Sequence, residues 1–115
     1  MKILLHIDES ERWPMVVSNL KNMSKAKKSL RPDLEVEVVV TGEAIRDLIN
    51  MGHDENIYQA LKASDEVGFT VAGCHNSLSR YSIPKENIFS FVKVVPAGLI
   101  EVAEKESEGF AYVKP

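Results

Sequence analysis

The stretch VGFTVAGCHNSLSR (residues 67–80) contains an apolar run that ends abruptly in a polar turn. Residues 67–72 are rich in β-branched and aromatic side chains, which is typical of a buried strand. Cys74, the only cysteine of the chain, lies in a Gly-Cys-His-Asn-Ser sequence of turn-forming residues, and a short helix is predicted over 76–81. The pattern indicates a strand that passes directly into a helix, with a thiol at the junction.

The same alternation continues in both directions along the chain. Strands are predicted over 2–7, 34–40, 67–72, 91–95 and 109–115. Helices are predicted from a cap at Ser10 to the residues before Arg31-Pro32, and over 43–49, 55–64, 76–81 and 99–107. Regular alternation of this kind indicates one α/β domain over residues 1–115, with a mostly parallel sheet and helices on both of its faces.

The composition excludes several classes of protein. Hydrophobic residues make up 44% of the chain, charged residues 27%, and the formal net charge is −3. A nucleic-acid-binding protein needs a basic face, and we expect no such partner and no membrane span. MKILLHIDE reaches acidic residues before an apolar leader can form, and a single cysteine forms no internal disulfide. We therefore expect the protein in the reducing cytoplasm.

Polar residues and glycines follow four of the predicted strands. In a parallel sheet, ligands bind beyond the carboxyl ends of the strands. The loops that start there are His6-Ile7-Asp8-Glu9, Thr41-Gly42-Glu43, Gly73-Cys74-His75-Asn76-Ser77 and Pro96-Ala97-Gly98. We expect these loops to lie along one edge of the sheet and to form the candidate site.

Cys74 is the residue in this set with the most reactive chemistry. A helix that begins just after it places unpaired amide groups near the sulfur, and their positive field favours the nucleophilic thiolate. His75 and His6 are candidate neighbours for the thiol. The alternative is a buried, inert cysteine, because free cysteine is among the most buried residue types.

Other kinds of site lack support in the sequence. Cys74 and His75 provide at most two adjacent metal ligands, and no metal is expected. The glycine-rich sequences of dinucleotide sites and P-loops are absent, as is the Gly-x-Ser-x-Gly of hydrolases. We therefore expect no organic cofactor.

Three segments resemble the DsrE/DsrF-like proteins, a family with the YchN-like fold that takes part in intracellular sulfur metabolism. They are LEVEVVVTGEAI, VGFTVAGCHNSL and VVPAGLIEVAEKESEGFAYVKP, and Trp13 in the first helix adds to the likeness. The resemblance implies a three-layer α/β/α sandwich with a mostly parallel five-stranded sheet. It also implies a homotrimer or homohexamer.

The resemblance further implies that Cys74 accepts sulfane sulfur as a persulfide and passes it to a partner protein in a sulfur relay. The residues expected around it as a binding site are Gly73, His75, Asn76, Ser77, Gly42, Gly98 and His6. Thr41 and Glu106 depart from the family pattern, in which histidine is frequent at the first position and glutamine at the second.

Two other functions remain open at this point. The same loops can bind a small anion or a nucleotide without covalent chemistry, or the chain can be an inert subunit of a hetero-oligomer. Apolar side chains, among them Phe89, Phe91 and Phe110, are expected on the surface, where copies of a small domain cover them in an oligomer.

Overall fold

A computed structural model describes residues 1–115. The strands are β1 (Lys2–Ile7), β2 (Glu35–Val40), β3 (Thr70–Cys74), β4 (Lys93–Val95) and β5 (Ala111–Val113). The α-helices are α1 (Trp13–Ser29), α2 (Glu55–Glu66), α3 (His75–Arg80) and α4 (Gly98–Ser107). Short 3₁₀ helices cover Ser10–Arg12, Gly42–Leu48 and Lys85–Asn87.

The strands form one parallel sheet in the order β4-β3-β2-β1-β5. In the central strands, Leu5 of β1 lies beside Val38 of β2, and Val38 lies beside Val71 of β3. Because all strands run in the same direction, their carboxyl ends meet at one edge. This confirms the predicted fold class and places the four polar loops together.

The two faces of the sheet are covered unequally. Leu5, Val38 and Val71 belong to a large core beneath α1, α2 and the Gly42–Leu48 helix. A smaller core on the opposite face comprises Leu4, Val39, Ala72, Val95 and Val102, and α4 is the helix that covers it. Side chains alternate between these faces along each strand. Cys74 and His6 therefore lie on the α4 side.

Several predicted boundaries are wrong. Val67 ends α2, and Gly68 turns the chain with a φ of +92°, so β3 starts later than predicted and includes Cys74. β4 and β5 are shorter than predicted. Ser10 does not cap α1, because its hydroxyl donates a hydrogen bond to Asp47.

The apolar surface also differs from the expectation. Phe89 is buried in the large core, where it stacks on Phe91, and Phe91 and Phe110 are half-buried. The large hydrophobic side chains that are exposed include Leu99 and Ile100 at the start of α4, which are 72% and 61% exposed. None of the helices has both the length and the apolar character needed to cross a bilayer.

Candidate functional site

A cavity of about 390 Å³ lies at the carboxyl edge of the sheet, where the loops after β1, β2 and β3 meet the start of α4. It is lined by His6, Asp8, Thr41, Gly42, Cys74, Asn76, Ser77, Arg80, Ala97, Gly98 and Leu99. Six of the predicted site residues therefore share one cavity: His6, Gly42, Cys74, Asn76, Ser77 and Gly98.

Cys74 is the last residue of β3 and the N-cap of α3. Its sulfur accepts hydrogen bonds from the amide of Ser77 at 3.4 Å and from the amide of Gly98 at 3.3 Å. The residue is only 5% exposed, so the thiol forms part of the cavity wall and does not project into solvent. Two helix starts, α3 and α4, thus direct amide groups at one sulfur atom.

This environment favours the thiolate form of Cys74. Burial raises the pKa of the thiol, but hydrogen bonds from the hydroxyl and amide of Ser77 and from the amides of Gly98 and Asn76 lower it by more. The net result is a pKa lower than that of an ordinary cysteine thiol. The predicted effect of the helix start is therefore present, and α4 adds to it.

Ser77 links the thiol to the loop after β2. Its hydroxyl oxygen accepts a hydrogen bond from the amide of Gly42 at 2.9 Å. Gly42 has a φ of +58°, and a Cβ there would lie 3.0 Å from the carbonyl oxygen of Asp8. Glycine is required at this position by both the left-handed backbone and the close approach of the chain.

Gly98 is required for a different reason. A Cβ at this position would collide with the Cγ2 methyl of Thr41 and would lie 3.4 Å from Cβ of Cys74. The absence of a side chain lets the start of α4 approach β2 and β3 closely enough for its amide to reach the sulfur. The glycine of the Pro-Ala-Gly sequence therefore allows the backbone at residue 98 to contact the thiol of Cys74.

His6 forms a hydrogen-bonded chain on the floor of the cavity. Its Nε2 lies 2.8 Å from the hydroxyl of Thr41, and its Nδ1 lies 2.7 Å from the hydroxyl of Tyr112 on β5. Burial lowers the pKa of His6; Asp8 opposes this effect and Lys114 adds to it. The ring is therefore neutral near pH 7 and uses both nitrogens in these contacts.

Charged groups lie at the mouth of the cavity. Lys114 binds Asp8 at 2.8 Å, and hydrogen bonding to Lys114 lowers the pKa of Asp8. Arg80, at the end of α3, lines the cavity and is exposed. The mouth thus presents both signs of charge.

Two predicted site residues do not line this cavity. His75 is exposed and borders a separate depression with Ile83, Pro84 and Val94. A side chain on Gly73 would point into the large core, 3.1 Å from Val92. Adjacent residues on β3 face opposite sides of the sheet, which explains why Gly73 and Cys74 diverge.

Sequence reasoning missed several residues of the site. Tyr112 and Lys114 lie in the last predicted strand, but only the strand order places that strand beside β1 and His6. The alternation of Phe110, Tyr112 and Lys114 was the available signal that these side chains share one face. Thr41 departs from the family pattern, and nothing local in the sequence indicates that it contacts His6.

A larger cavity, of about 530 Å³, lies between α1 and α2. Its principal polar groups already have structural partners: Asp47 accepts hydrogen bonds from Trp13 and Ser10, and Asp54 caps α2. Its lining includes no cysteine and no histidine. No cluster of three or more His, Cys, Asp or Glu side chains that could hold a metal ion is present in the chain.

Comparison with known proteins agrees with this architecture. The chain is similar in structure to MTH1491, a protein of unknown function from Methanobacterium thermoautotrophicum, with a TM-score of 0.83, 22% identity and coverage of 99% of this chain and 98% of that one. It is also similar to the ychN protein from E. coli, with a TM-score of 0.74, 13% identity and full coverage of both chains. At these identities the likeness concerns the fold. No curated protein matches the chain.

The sequence profile of the DsrE/DsrF-like family matches residues 9–115, which is nearly the whole chain and includes every lining residue of the cavity except His6 and Asp8. The chain therefore belongs to the DsrE/DsrF-like family.

Proposed function

We propose that the protein is a sulfur carrier, or sulfurtransferase, in which Cys74 accepts sulfane sulfur as a persulfide and passes it on. The observation that carries the proposal is the pair of amide hydrogen bonds from Ser77 and Gly98 to the Cys74 sulfur inside an open cavity. A lowered pKa increases the thiolate fraction of a cysteine, and the thiolate is the form that acts as a nucleophile.

The chemistry consists of two displacement steps. In the first, the Cys74 thiolate attacks the outer sulfur of a donor persulfide, R–S–SH. The donor sulfur–sulfur bond breaks, Cys74–S–SH forms, and the donor leaves as the thiolate RS⁻. In the second, an acceptor thiolate attacks the outer sulfur of Cys74–S–SH, which restores the Cys74 thiolate and produces the acceptor persulfide.

The groups around Cys74 suit both steps. The amides of Ser77 and Gly98 stabilise the inner sulfur whenever it carries negative charge, either before attack or as the leaving group of the second step. Asn76 and Arg80 line the space into which the outer sulfur would project, and both offer donors to an anion. None of these steps needs a metal or an organic cofactor.

Intact-mass measurement after incubation with a small persulfide donor tests the proposal. We expect a mass increase of one sulfur atom, reversed by an added thiol. Cys74 is the only cysteine, so the Cys74→Ala variant is a complete control. No added sulfur on the wild type, or equal addition to Cys74→Ala, would contradict the proposal.

The rival function is non-covalent binding of a small anion or nucleotide in the same cavity. Arg80 and the cavity-facing amides are compatible with it. The same mass experiment separates the two functions, because a binding module gains no covalent sulfur. An inert subunit would neither gain sulfur nor bind the anion, and a pull-down from its own cells would recover an active paralogue.

We further propose that the chain forms a homotrimer or homohexamer and works with other sulfur-relay proteins in the cytoplasm. Leu99 and Ile100 are exposed beside the cavity, which offers apolar surface for such contacts. Light scattering of the purified protein tests the oligomeric state, and a monomer at all concentrations would contradict this part of the proposal.

A further inference from the structure

We propose that Thr41, His6 and Tyr112 form a proton relay that connects the Cys74 cavity with solvent. Under this proposal Thr41 is a catalytic residue, and His6 and Tyr112 are positioning residues that act through it. The inference rests on the proposed chemistry of Cys74 and extends it, because it assigns the source and the destination of the protons that sulfur exchange requires.

The first argument is geometric. The chain of contacts runs from the Tyr112 hydroxyl to Nδ1 of His6 at 2.7 Å, and from Nε2 of His6 to the Thr41 hydroxyl at 2.8 Å. Both distances are those of strong hydrogen bonds. A neutral imidazole accepts at one nitrogen and donates at the other. Either tautomer satisfies both contacts, because each hydroxyl can donate or accept.

The second argument concerns the two ends of the chain. Tyr112 is 39% exposed, which places this end of the chain of contacts at the protein surface. Thr41 lines the cavity with Cys74, and both side chains lie against Gly98. His6, between them, is only 6% exposed. A buried imidazole therefore joins a partly exposed tyrosine to a threonine of the cavity lining.

The third argument is the charge around the ring. The ionised groups that face His6 are Asp8 and Lys114, which bind each other at 2.8 Å. Their charges act on the imidazole pKa in opposite directions, and burial, which has the largest effect, keeps the ring neutral. A neutral ring is required, since an imidazolium would donate from both nitrogens and could not accept a proton.

The relay accounts for the protons of both displacement steps. When a donor R–S–SH gives its outer sulfur to the Cys74 thiolate, the leaving RS⁻ takes the Thr41 proton. Thr41 is reprotonated from Nε2, Nδ1 takes the Tyr112 proton, and water reprotonates Tyr112. The leaving group departs as neutral RSH, and His6 has changed tautomer.

The second step runs the relay in reverse. An acceptor R′–SH loses its proton to Thr41, and the proton on the Thr41 hydroxyl passes to Nε2. Nδ1 then gives its proton back to Tyr112, which releases one to water. The acceptor attacks as R′–S⁻, and His6 returns to its first tautomer. The two steps reset the relay without rotation of the ring.

Two small disulfides test the relay independently of persulfide transfer. Bis(hydroxyethyl) disulfide releases a basic alkyl thiolate that benefits from a proton on its sulfur, whereas dithiodipyridine releases a ring-stabilised pyridinethiolate that needs no proton on its sulfur. We expect Tyr112→Phe and Thr41→Val to slow the reaction of Cys74 with the alkyl disulfide by roughly tenfold and to leave the pyridyl reaction unchanged. Thr41→Ser, which keeps a hydroxyl, should restore the alkyl rate.

The outcomes separate the two proposals. Equal slowing with both disulfides would show that the substitutions only displace Cys74, and this would overturn the relay. Unchanged rates with both disulfides would overturn it as well, as would a wild-type Cys74 that reacts with neither. A selective loss of the alkyl reaction supports the relay even if the wild type takes no sulfur from a persulfide donor, a result that would contradict the proposed function alone.

Discussion

The amide of Gly98 donates a hydrogen bond to the sulfur of Cys74 at 3.3 Å, which joins the first residue of α4 to the last residue of β3. The two residues are 24 positions apart in sequence. This contact is possible because Gly98 has no side chain to collide with Thr41. It makes the reactivity of the thiol depend on the docking of α4 against the sheet.

Replacement of Gly98 by alanine tests this dependence. The added methyl collides with Cγ2 of Thr41, so we expect Gly98→Ala to lower the free energy of unfolding by about 1–3 kcal/mol. The displaced amide should also slow alkylation of Cys74 at neutral pH. Urea denaturation and iodoacetamide kinetics measure the two effects.

The double variant Gly98→Ala/Thr41→Ser is the matched control for that experiment. It removes the methyl that the new Cβ would meet and keeps the Thr41 hydroxyl. We expect it to recover most of the lost stability. Equal destabilisation in the single and double variants would show that the collision is not the cause.

The pH dependence of alkylation measures the thiolate directly. Burial raises the pKa of Cys74, but hydrogen bonds from Ser77 and Gly98 lower it by more, so we expect the midpoint of the rate profile below that of an ordinary cysteine. Ser77→Ala removes the hydroxyl contribution and should move the midpoint upward. Ser79→Ala, an exposed position on the same helix, should leave it unchanged. A wild-type midpoint at or above the ordinary value would contradict the assigned environment.

His75 follows Cys74 in sequence but faces a different depression. We therefore expect His75→Gln to leave the alkylation rate and its pH midpoint unchanged. A clear loss of rate in His75→Gln would mean that the imidazole acts on the thiol through space, despite the direction of its side chain.

Two acidic side chains, Glu37 of β2 and Glu101 of α4, are buried together between the sheet and α4. Glu37 and Glu101 are 3% and 7% exposed, and one oxygen of each has no hydrogen-bond partner. Burial raises the pKa of Glu37 to about 8, and the hydrogen bond and charge of Glu101 add to the effect, with Lys105 and Lys93 opposing it. The carboxyl of Glu37 is therefore protonated near pH 7.

This arrangement predicts that stability falls as the pH rises from the ordinary glutamate pKa to about 8. Above the ordinary glutamate pKa the unfolded chain has lost a proton that the folded protein keeps until about pH 8, so the free energy of unfolding falls as the pH rises across that interval. We expect Glu37→Gln to reduce this fall by on the order of 2 kcal/mol. Urea titrations of both proteins at several pH values measure it, and identical pH slopes would contradict it.

Asp47 holds the start of α1 against the Gly42–Leu48 helix. Its carboxylate accepts hydrogen bonds from the indole of Trp13 at 2.9 Å and from the hydroxyl of Ser10 at 2.6 Å. We expect Asp47→Ala to cost about 1–3 kcal/mol of stability, because a buried indole N–H loses its partner. Asp47→Asn keeps an acceptor and should cost less. Fluorescence of Trp13, the only tryptophan, reports the unfolding. Equal stability of Asp47→Ala and the wild type would contradict the assignment.

Much of the fold was accessible from the sequence because it depends on local patterns. The β-rich runs around Leu5, Val38 and Val71 and the helical spacing from Trp13 to Leu20 each indicated their element without knowledge of the neighbours. The ends of the helices and strands were harder to predict from the sequence. Val67 belongs to an apolar run that predicts a strand, but it is the C-cap of α2, and Gly68 turns the chain before β3 begins.

The candidate site could be predicted only in part, because only some of its contacts are local in sequence. Cys74 and Ser77 are three residues apart, so a helix start alone brings the amide to the sulfur. Tyr112 reaches His6 across 106 positions of sequence, and nothing local indicates that β5 pairs with β1. The exposure of Cys74 was also not predictable, since it depends on how closely Gly98 and Thr41 approach.

The sequence by itself determined the alternation of strands and helices, the parallel sheet, the family and the position of the one thiol at a strand end. These follow from short-range periodicity and backbone preference, which each segment carries independently. Only the tertiary structure decided that α4 covers the thiol, that His75 turns away, and that His6 lies between Thr41 and Tyr112. Those relationships arise from strand order and close packing, and they exist only when distant segments are brought within contact distance.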